Sequence, residues 1–374
     1  MHSEILLLMN KSAQLSILIC ILFVFAIIIL FPSCKTSRQI DVQSYKDLEY
    51  RNTIRVMFYN TENIFDTIND PLTQDDEFLP QGSYHWNSFR YYKKLQDIAK
   101  VIIAVGGWDV PEIIGLCEIE NRQVLEDLIR LTPLKDSGLE IIHKESPDDR
   151  GVDVALLYKS KRFQPLFYAF YEVIFPFAPG SKTREILYAK GVLDTQDTLH
   201  VFVNHWPSRR GGKEESENRR ITAAELLRSK VDSLYALNPF SNIVIIGDFN
   251  DEPYDKSIKE VLKAVDDTTG LSYNMLFNLL AYYPEKGEGS YKFQYEWSQI
   301  DQIIVSSPLL LRKNSLWCNI NSAFVFKEDW MLEEDSKYTG KKPFRTYLGP
   351  GYQGGISDHF PVYTDLYHTR NEIK

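Results

Sequence analysis

The chain has 374 residues, a hydrophobic fraction of 44% and a formal net charge of -9. This size excludes a small scaffold that needs disulfides to hold its core, and it accommodates one large domain or two of ordinary size. The acidic balance argues against a protein that coats nucleic acid with its whole surface, although it is compatible with a local basic groove.

The N-terminal residues have the pattern of an export signal. Lys11 precedes an almost wholly apolar run over 15–31, which ends at Pro32-Ser33-Cys34. Such a run is typical of a secretory signal, and the small residue before the cysteine is similar to the cleavage site of a bacterial lipoprotein. We therefore predict a signal over 1–34, a polar tether over 35–52, and an exported protein at the cell surface or in the periplasm, anchored to the membrane by lipid. An uncleaved apolar anchor and a cleaved soluble form are the alternatives.

Two cysteines lie beyond the signal, Cys117 and Cys318. They could pair in an oxidising compartment. Cys117 lies in an apolar run, however, which favours a buried free thiol. No paired-cysteine spacing indicates zinc.

The remaining residues, 53–370, contain no second linker, repeat or low-complexity segment, so we predict one domain. Apolar runs predict strands over 54–60, 112–118, 152–158, 187–193, 199–204, 243–246, 299–305 and 360–366. Helical spacing predicts helices over 88–105, 121–131 and 217–237, with a short helix after Pro253. In the first helix, Phe89, Tyr92 and Leu95 are placed on the buried side. Helices and strands that mix without strict alternation favour an α/β or α+β sandwich over a barrel.

The most informative segment is the strand 243–246 and the residues that follow it. The strand has no polar alternation, which indicates a central strand covered on both faces. Gly247 is predicted to let the backbone turn, so that Asp248 and Asn250 project from the strand end. A second polar segment, Ser357-Asp358-His359, precedes the last strand. Clusters of Asp, Asn and His indicate a hard-metal site with a histidine beside it.

Further polar side chains recur where predicted strands begin or end, namely Asn60, Glu118, His205 and Asp301. Because the strands of a sheet bring residues from distant parts of the chain to one edge, we predict that these side chains form one site with the two clusters above.

Together these segments resemble the endonuclease/exonuclease/phosphatase superfamily of metal-dependent phosphohydrolases with a deoxyribonuclease-I-like fold. The resemblance covers 53–367 and depends on segments in the family's order, which are Tyr59–Asn63, Cys117–Glu118, Arg150–Ala155, Asn204–Trp206, Gly247–Asn250, Ile300–Asp301 and Ser357–His359. It implies a four-layer α/β/β/α sandwich with the site at one end.

The resemblance also implies a metal site. A phosphodiester resists hydrolysis because its anionic oxygens repel nucleophiles, and a metal ion neutralises that charge. Glu118 is the implied ligand, and Asn60 and Asp358 are expected to complete the shell around Mg²⁺, with Mn²⁺ as a possible substitute. The structural alternatives are a carboxylate that caps the following helix for Glu118 and a turn residue for Asn60.

The same resemblance assigns roles in the reaction. Asp248 would orient or deprotonate the attacking water, or contact a second metal, and Asn250 would hydrogen-bond a phosphate oxygen. His205 and His359 would stabilise the pentacoordinate phosphorus or protonate the leaving group. Asp301 would hold His359 in its useful tautomer and raise its pKa. Turn or core positions are the structural alternatives for these residues.

A basic loop follows His205. Over residues 209–230 there are seven basic and four acidic side chains. We expect Arg209 to grip a phosphate bidentately and Arg150 to point into the site. Arg345 or Tyr347, in a later loop, is a further hypothesis for a ligand contact.

These observations predict a Mg²⁺-dependent phosphodiester hydrolase. The two histidines, the basic loop and the predicted export favour an endonuclease with a nucleic-acid substrate, which we expect to be a monomer. The alternatives are a phosphatase or phosphodiesterase of lipids or small phosphoesters and, more remotely, an inactive binding protein on the same fold.

Overall fold

The computed structural model describes residues 53–107 and 109–369, all of which belong to one compact unit. The predicted signal, tether and lipid-bearing cysteine lie outside the described residues. Within the described part of the chain, no helix combines the length and the apolar character that a membrane crossing requires.

Strands account for most of the regular structure. In chain order they are β1 (Thr53–Ile64), β2 (Ile113–Ile119), β3 (Leu139–His143), β4 (Asp153–Lys159), β5 (Phe163–Tyr171), β6 (Ile186–Leu193), β7 (Thr198–His205), β8 (Ile243–Asp248), β9 (Ala264–Val265), β10 (Leu276–Asn278), β11 (Tyr291–Phe293), β12 (Glu296–Ser298), β13 (Asp301–Ser306), β14 (Leu316–Trp317), β15 (Ala323–Val325), β16 (Leu332–Glu334), β17 (Lys341–Pro343), β18 (Tyr347–Leu348), β19 (Gly351–Tyr352) and β20 (Val362–His368).

The helices are fewer. The α-helices are α1 (Ser88–Gly106), α2 (Arg122–Arg130), α3 (Lys213–Leu237) and the short α4 (Ser307–Leu310). Short 3₁₀ segments cover Asp76–Phe78, Pro133–Asp136, Pro284–Lys286 and Asp329–Met331, and a π-helical segment covers Ser257–Leu262. All predicted strands and long helices are confirmed, with ends that move by a few residues.

Two large sheets form the centre of the molecule. The first has the order β14-β20-β1-β2-β4-β3, with β15 also paired to β20. The second has the order β5-β6-β7-β8-β13-β10-β9. The sheets contain both parallel pairs, such as β1 with β2, and antiparallel pairs, such as β8 with β13.

Three buried clusters separate four layers. Phe58, Val203 and Ile246 belong to the cluster between the two sheets. A second cluster packs α1 and α2 against the outer face of the first sheet, and a third packs α3 against the outer face of the second. The four-layer α/β/β/α sandwich is therefore confirmed. Ile245 faces α3 while Ile246 faces the other sheet, which explains why β8 shows no polar alternation.

The buried side of α1 differs from the prediction. Phe89 is 75% exposed and Tyr92 is 49% exposed, whereas Tyr91 and Lys94 are buried with Leu95. Lys94 can be buried because its ammonium group donates to the carbonyl oxygens of residues 62 and 356 and to a threonine hydroxyl. A hydrophobic pattern that counts lysine as an exposed residue therefore predicts the wrong buried face for the first turns of the helix.

The role predicted for Gly247 is also corrected. Gly247 lies inside β8 and pairs with Asn204 of β7, so the chain does not turn there. A Cβ atom at this position would come within 2.6 Å of the Asn204 carbonyl oxygen. Glycine is needed because the two strands approach closely, and the chain turns at Asn250, where φ is 51°.

β3 and β5 are strands that the sequence did not predict. β5 is the edge of the second sheet, and most of its residues are exposed or half-buried on both faces. Such a strand has no apolar alternation to reveal it. The two body cysteines, Cys117 and Cys318, are buried and unpaired, which confirms the free thiol predicted at Cys117.

Candidate active site

A cleft of about 600 Å³ opens at one end of the sandwich. Its walls include eight of the residues singled out from the sequence, namely Glu118, Arg150, His205, Arg209, Asp248, Asn250, Asp358 and His359. The site that the sequence predicted is therefore assembled in one place, although the two remaining residues, Asn60 and Asp301, lie behind the cleft wall.

Strand register places three of these side chains next to one another. His205 on β7 is paired with Asp248 on β8, and Asp248 is paired with Asp301 on β13. The first sheet contributes two further side chains, Asn60 and Glu118. Asn60 on β1 is paired with Cys117, the residue before Glu118. The cluster is therefore built on the ends of central strands, which hold side chains more rigidly than loops do.

A bulge in β2 directs Glu118 out of the sheet. Its neighbours Cys117 and Ile119 both pair with β1 and β4, and the register shifts between them. Glu118 has φ of 62° as a result. A left-handed glutamate is uncommon and carries a backbone cost of about 1–3 kcal/mol, a form of strain that clusters at functional sites.

His359 and Asp301 form a buried pair. Nδ1 of His359 lies 2.7 Å from Oδ2 of Asp301, which also accepts a hydrogen bond of 2.5 Å from the hydroxyl of Ser290. Burial works to lower the pKa of His359, but Asp301 and the neighbouring carboxylates outweigh it and raise that pKa well above its usual value. Because Nδ1 is held by Asp301, the ring presents Nε2 to the cleft as a proton donor.

The pKa of His205 is shifted in the opposite direction to that of His359. Burial lowers its pKa well below the usual value, and the nearby Arg184 and Arg150 lower it further. Its Nε2 lies 3.7 Å from Glu118 Oε1 and 3.8 Å from Asp248 Oδ2, while its Nδ1 is buried without a hydrogen-bond partner. The site thus contains one imidazole that favours the charged form and one that favours the neutral form.

Asp248 is the carboxylate between them. It accepts hydrogen bonds from the amide of Asn60 at 3.0 Å and from the backbone N–H of Asn250 at 2.9 Å. Burial, followed by repulsion from Asp301, raises the pKa of Asp248 to about 7. A carboxylate with a pKa near neutrality is suited to exchange a proton with water.

The predicted metal ligands occupy different depths. Glu118 lines the cleft with Oε1 open to it, because only Oε2 accepts a hydrogen bond, from the backbone N–H of Asn63. Asp358 also lines the cleft, but the guanidinium group of Arg345 binds its Oδ2 at 2.8 Å. Asn60 is only 1% exposed, and its side chain bonds Asp248 and the backbone of residue 62, so here it orients Asp248.

The donor set fits a hard divalent cation. Three carboxylates line the cleft, those of Glu118, Asp248 and Asp358, and behind them Oδ1 of Asp301 is buried without a hydrogen-bond partner among the described residues. Ligand atoms of Asp248, Asp301 and His359 lie within 4.8 Å of one another. We assign the short contact of His359 to Asp301 as a hydrogen bond. Both oxygens of Asp248 accept hydrogen bonds, which leaves Glu118 and Asp358 as the carboxylates at the cleft surface for a cation. Oxygen donors of this kind suit Mg²⁺ or Mn²⁺.

The residues predicted for substrate contacts are partly engaged elsewhere. Arg209 donates to the carbonyl of Asn250 at 2.7 Å and lies 3.3 Å from Asp255, which restrains the basic loop while one edge still lines the cleft. Arg150 is 43% exposed, with its Nε 3.3 Å from Asp148. Both remain able to contact an anion.

The hypothesis for the loop around residue 345 needs correction. Tyr347 is buried, and its hydroxyl donates to the carbonyl of Tyr84. Arg345 binds Asp358 at 2.8 Å and Glu62 at 3.3 Å. Neither lines the cleft. Arg345 instead holds Asp358, which does line the cleft, in place. An isolated sequence does not reveal which acid an arginine will pair with, so this role could not be predicted.

Sequence reasoning missed one wall of the cleft. Tyr291 and Phe293 belong to the hairpin formed by β11 and β12, and both line the cleft. The ring of Tyr291 lies 4.8 Å from that of His359, and Phe293 is 61% exposed. No signal in the sequence distinguished these two aromatic residues from the many that pack in the core.

A two-sheet sandwich with histidines and carboxylates gathered at one end defines the class of a phosphohydrolase with a deoxyribonuclease-I-like fold. Residues 55–368 match the model of the Endonuclease/Exonuclease/phosphatase family. The chain belongs to this family, whose members hydrolyse phosphoesters and generally depend on divalent metals.

Solved structures agree in fold. An endonuclease/exonuclease/phosphatase family protein from Bacteroides thetaiotaomicron has 18% identity and a TM-score of 0.50, with 85% of this chain and 98% of that chain covered. A mannosyl-6-phosphatase from Bacteroides thetaiotaomicron VPI-5482 has 18% identity and a TM-score of 0.50, covering 84% and 99%. A humanized D. rerio TDP2 has 12% identity and a TM-score of 0.50, covering 84% and 98%. No curated protein matches the sequence.

Proposed function

We propose that the protein is a Mg²⁺-dependent phosphodiester hydrolase, acting as an endonuclease on nucleic acid. The observation that carries the proposal is the convergence of two histidines of opposite charge preference and one carboxylate of raised pKa on a single cleft, namely His359, His205 and Asp248. Such a set provides one proton donor and one proton acceptor at the same place.

The residues divide the reaction between them. Asp248, held by Asn60, accepts the proton of the attacking water. His359, kept protonated by Asp301, donates from Nε2 to the leaving oxygen or to a phosphate oxygen. Asn250 uses one amide hydrogen to bond the carbonyl of residue 206 and has the other available for a phosphate oxygen.

The negative charge on the phosphate oxygens has to be neutralised by a cation. Glu118 and Asp358 would hold the divalent metal, and the metal would supply neutralisation of the phosphate oxygens. Neutral His205 lies beside Glu118 and Asp248 and can donate a hydrogen bond in the transition state without adding charge to the ground state.

The test is a parallel assay of the purified protein with Mg²⁺ on plasmid DNA, RNA, bis-p-nitrophenyl phosphate, p-nitrophenyl phosphate and sphingomyelin. Cleavage of the nucleic acids should be lost in excess EDTA and should fall by a factor of about 10² to 10⁴ in His359→Ala. His85→Ala, which replaces an exposed histidine outside the site, is the matched control. Undiminished activity in EDTA or near-normal turnover of His359→Ala would contradict the proposal.

One observation favours a second candidate, a phosphodiesterase or phosphatase of lipids or small phosphoesters. Tyr291 and the exposed Phe293 form an apolar wall of the cleft, which suits an acyl chain or an aromatic leaving group. Activity confined to sphingomyelin or to the monoester in the same assay would select this candidate.

We also propose that the protein is exported and held at the membrane, with residues 1–34 as a lipoprotein signal and 35–52 as a tether. The basis is the sequence pattern around Cys34. Cys34→Ser should yield a form that is not lipidated, measured by incorporation of labelled fatty acid and by release from the membrane fraction. Unchanged labelling would contradict the lipid attachment.

A further inference from the structure

A second pocket adjoins the active-site cleft. It encloses about 500 Å³ and lies between the turn at 148–150, the segment 181–184 before β6, the loop 207–210 and the first turns of α3. Arg150 and Ser208 line both the cleft and this pocket, so one ligand could extend from the first to the second.

The pocket is basic in a protein of acidic composition. Five basic and three acidic side chains line it. One of the acids, Asp148, is already neutralised, because it accepts a hydrogen bond of 2.9 Å from Arg184 and lies 3.3 Å from Arg150. Lys182 and Arg210 are exposed, and neither forms an ion pair with any residue in 53–107 or 109–369. With Asp149 and Glu215 also in the lining, the five basic side chains against three acidic ones give the pocket a net charge of +2.

Buried polar groups that line this pocket also indicate an anion-binding site. The hydroxyl of Thr183 and Nε of Arg184 are buried and have no hydrogen-bond partner. The other two guanidinium nitrogens of Arg184 are used, one by Asp148 and one by the carbonyl of Trp206. A buried donor without an acceptor costs about 1–3 kcal/mol, and an anion is a ligand that can remove this cost.

We propose that this pocket is a second anionic subsite, which binds a phosphate group next to the one that is hydrolysed. The inference rests on the proposed phosphodiester hydrolysis and adds to it the substrate class, a molecule with at least two phosphates. The scissile phosphate lies beside His359 and Asp248, and the second lies against Lys182 and Arg210. Arginine and lysine bind phosphate through charge-assisted hydrogen bonds, which gives the subsite its affinity.

The test compares two chromogenic substrates of the full chain with Mg²⁺, the p-nitrophenyl ester of thymidine 5′-phosphate with and without a 3′-phosphate. In Lys182→Gln/Arg210→Gln, KM for the doubly phosphorylated ester should rise about tenfold, which corresponds to about 1.4 kcal/mol, while kcat and the KM of the single ester change less than twofold. Arg130→Gln/Lys135→Gln, at two exposed basic residues of another surface, is the control with the same change in charge. Equal effects on both esters, or no effect, would overturn the subsite.

A binding measurement separates this inference from the proposed function. Inorganic phosphate is titrated calorimetrically into EDTA-treated protein, where no turnover is needed. The Lys182→Gln/Arg210→Gln variant should bind phosphate about tenfold more weakly than the unmodified chain, and equal affinity would refute the subsite. If neither ester is hydrolysed, this titration alone decides the subsite, whereas the cleavage assay on DNA and RNA decides the proposed function.

Competition identifies the source of the second phosphate. A DNA tetranucleotide and fructose 1,6-bisphosphate are compared as inhibitors of the doubly phosphorylated ester. Tighter inhibition by the tetranucleotide assigns the subsite to a nucleic-acid strand, and tighter inhibition by the sugar assigns it to a small molecule. If neither compound inhibits, the result contradicts the subsite.

Discussion

Asp248→Asn should stabilise the metal-free protein while it removes activity. The pKa of Asp248 rises from 3.8 to about 7 in the fold, because the carboxylate is buried and lies beside Asp301. A difference of one pKa unit corresponds to 1.36 kcal/mol, so the ionised carboxylate destabilises the fold by about 4 kcal/mol. The amide is isosteric and carries no charge, and it therefore avoids this cost.

The amide introduces a smaller cost of its own. Both oxygens of Asp248 accept hydrogen bonds, from Asn60 and from the N–H of Asn250, and an amide nitrogen in place of one oxygen brings two donors together. That conflict costs about 1–3 kcal/mol. The expected net gain is about 2 kcal/mol at pH 8 in EDTA, which raises the melting temperature by about 3 °C for a domain of this size.

The pH dependence is the sharpest part of this prediction. The pKa of Asp248 is higher in the folded state than in the unfolded state. The stabilising contribution of its protonated form is therefore fully present below pH 3.8 and is lost as the pH rises through about 7. The stability difference between Asp248→Asn and the unmodified chain should therefore grow from about pH 4 to about pH 7 and stay constant above that. Urea melts in EDTA at pH 5 and pH 8 measure it, with the exposed Asp136→Asn as the control. A difference that does not depend on pH would refute the burial argument.

Three further variants test the assignments around Asp248. Glu118→Gln should raise the Mg²⁺ concentration needed for half-maximal activity about tenfold, with little change in activity at saturating metal, and an unchanged metal titration would remove Glu118 from the metal shell. Asp301→Asn withdraws the charge that raises the pKa of His359, so the alkaline limb of the rate profile should move to lower pH; a profile that stays in place would assign Asp301 a structural role only. Lys94→Met removes the ammonium donor from three buried acceptors and should destabilise the fold by about 3 kcal/mol in a urea melt, and an effect as small as that of the exposed Lys135→Met would contradict this.

Most of the fold follows from the sequence because the central strands are covered on both sides. β2, β7 and β8 contain apolar runs and are buried along almost their whole length, which leaves a strong signal. The edge strand β5 leaves none, because its side chains are half exposed. The buried stripe of α1 was partly misassigned at Lys94, whose three acceptors come from residues up to 262 positions away.

The residues of the site could likewise be predicted where they lie at strand ends, but contacts that depend on the paths of loops could not. The positions at strand ends mark Asp248, His205 and Asp301 as neighbours, since paired strands share an edge, and Glu118 comes from the end of a strand in the other sheet. The partners of Arg345 and the aromatic wall of Tyr291 depend on loops, whose paths are set by tertiary packing. Likewise, Asn60 and Asp358 have similar side chains, yet only Asp358 reaches the cleft surface, because Asn60 lies inside β1 and Asp358 lies in the loop before β20.

The geometry of the site depends on how closely the two sheets pack. Asn60 and Glu118 come from the first sheet, whereas Asp248 and its strand neighbours come from the second, so the hydrogen bond between Asn60 and Asp248 bridges the sheets. Gly115 in β2 faces the second sheet, where a Cβ atom would lie 2.7 Å from the side chain of Ile246. Because interiors are close-packed, one added methyl group at this point would force the Ile246 side chain, and its packing against Val203 and Phe58, to rearrange. Gly115 is therefore a packing position between the two sheets that supply Asn60 and Asp248.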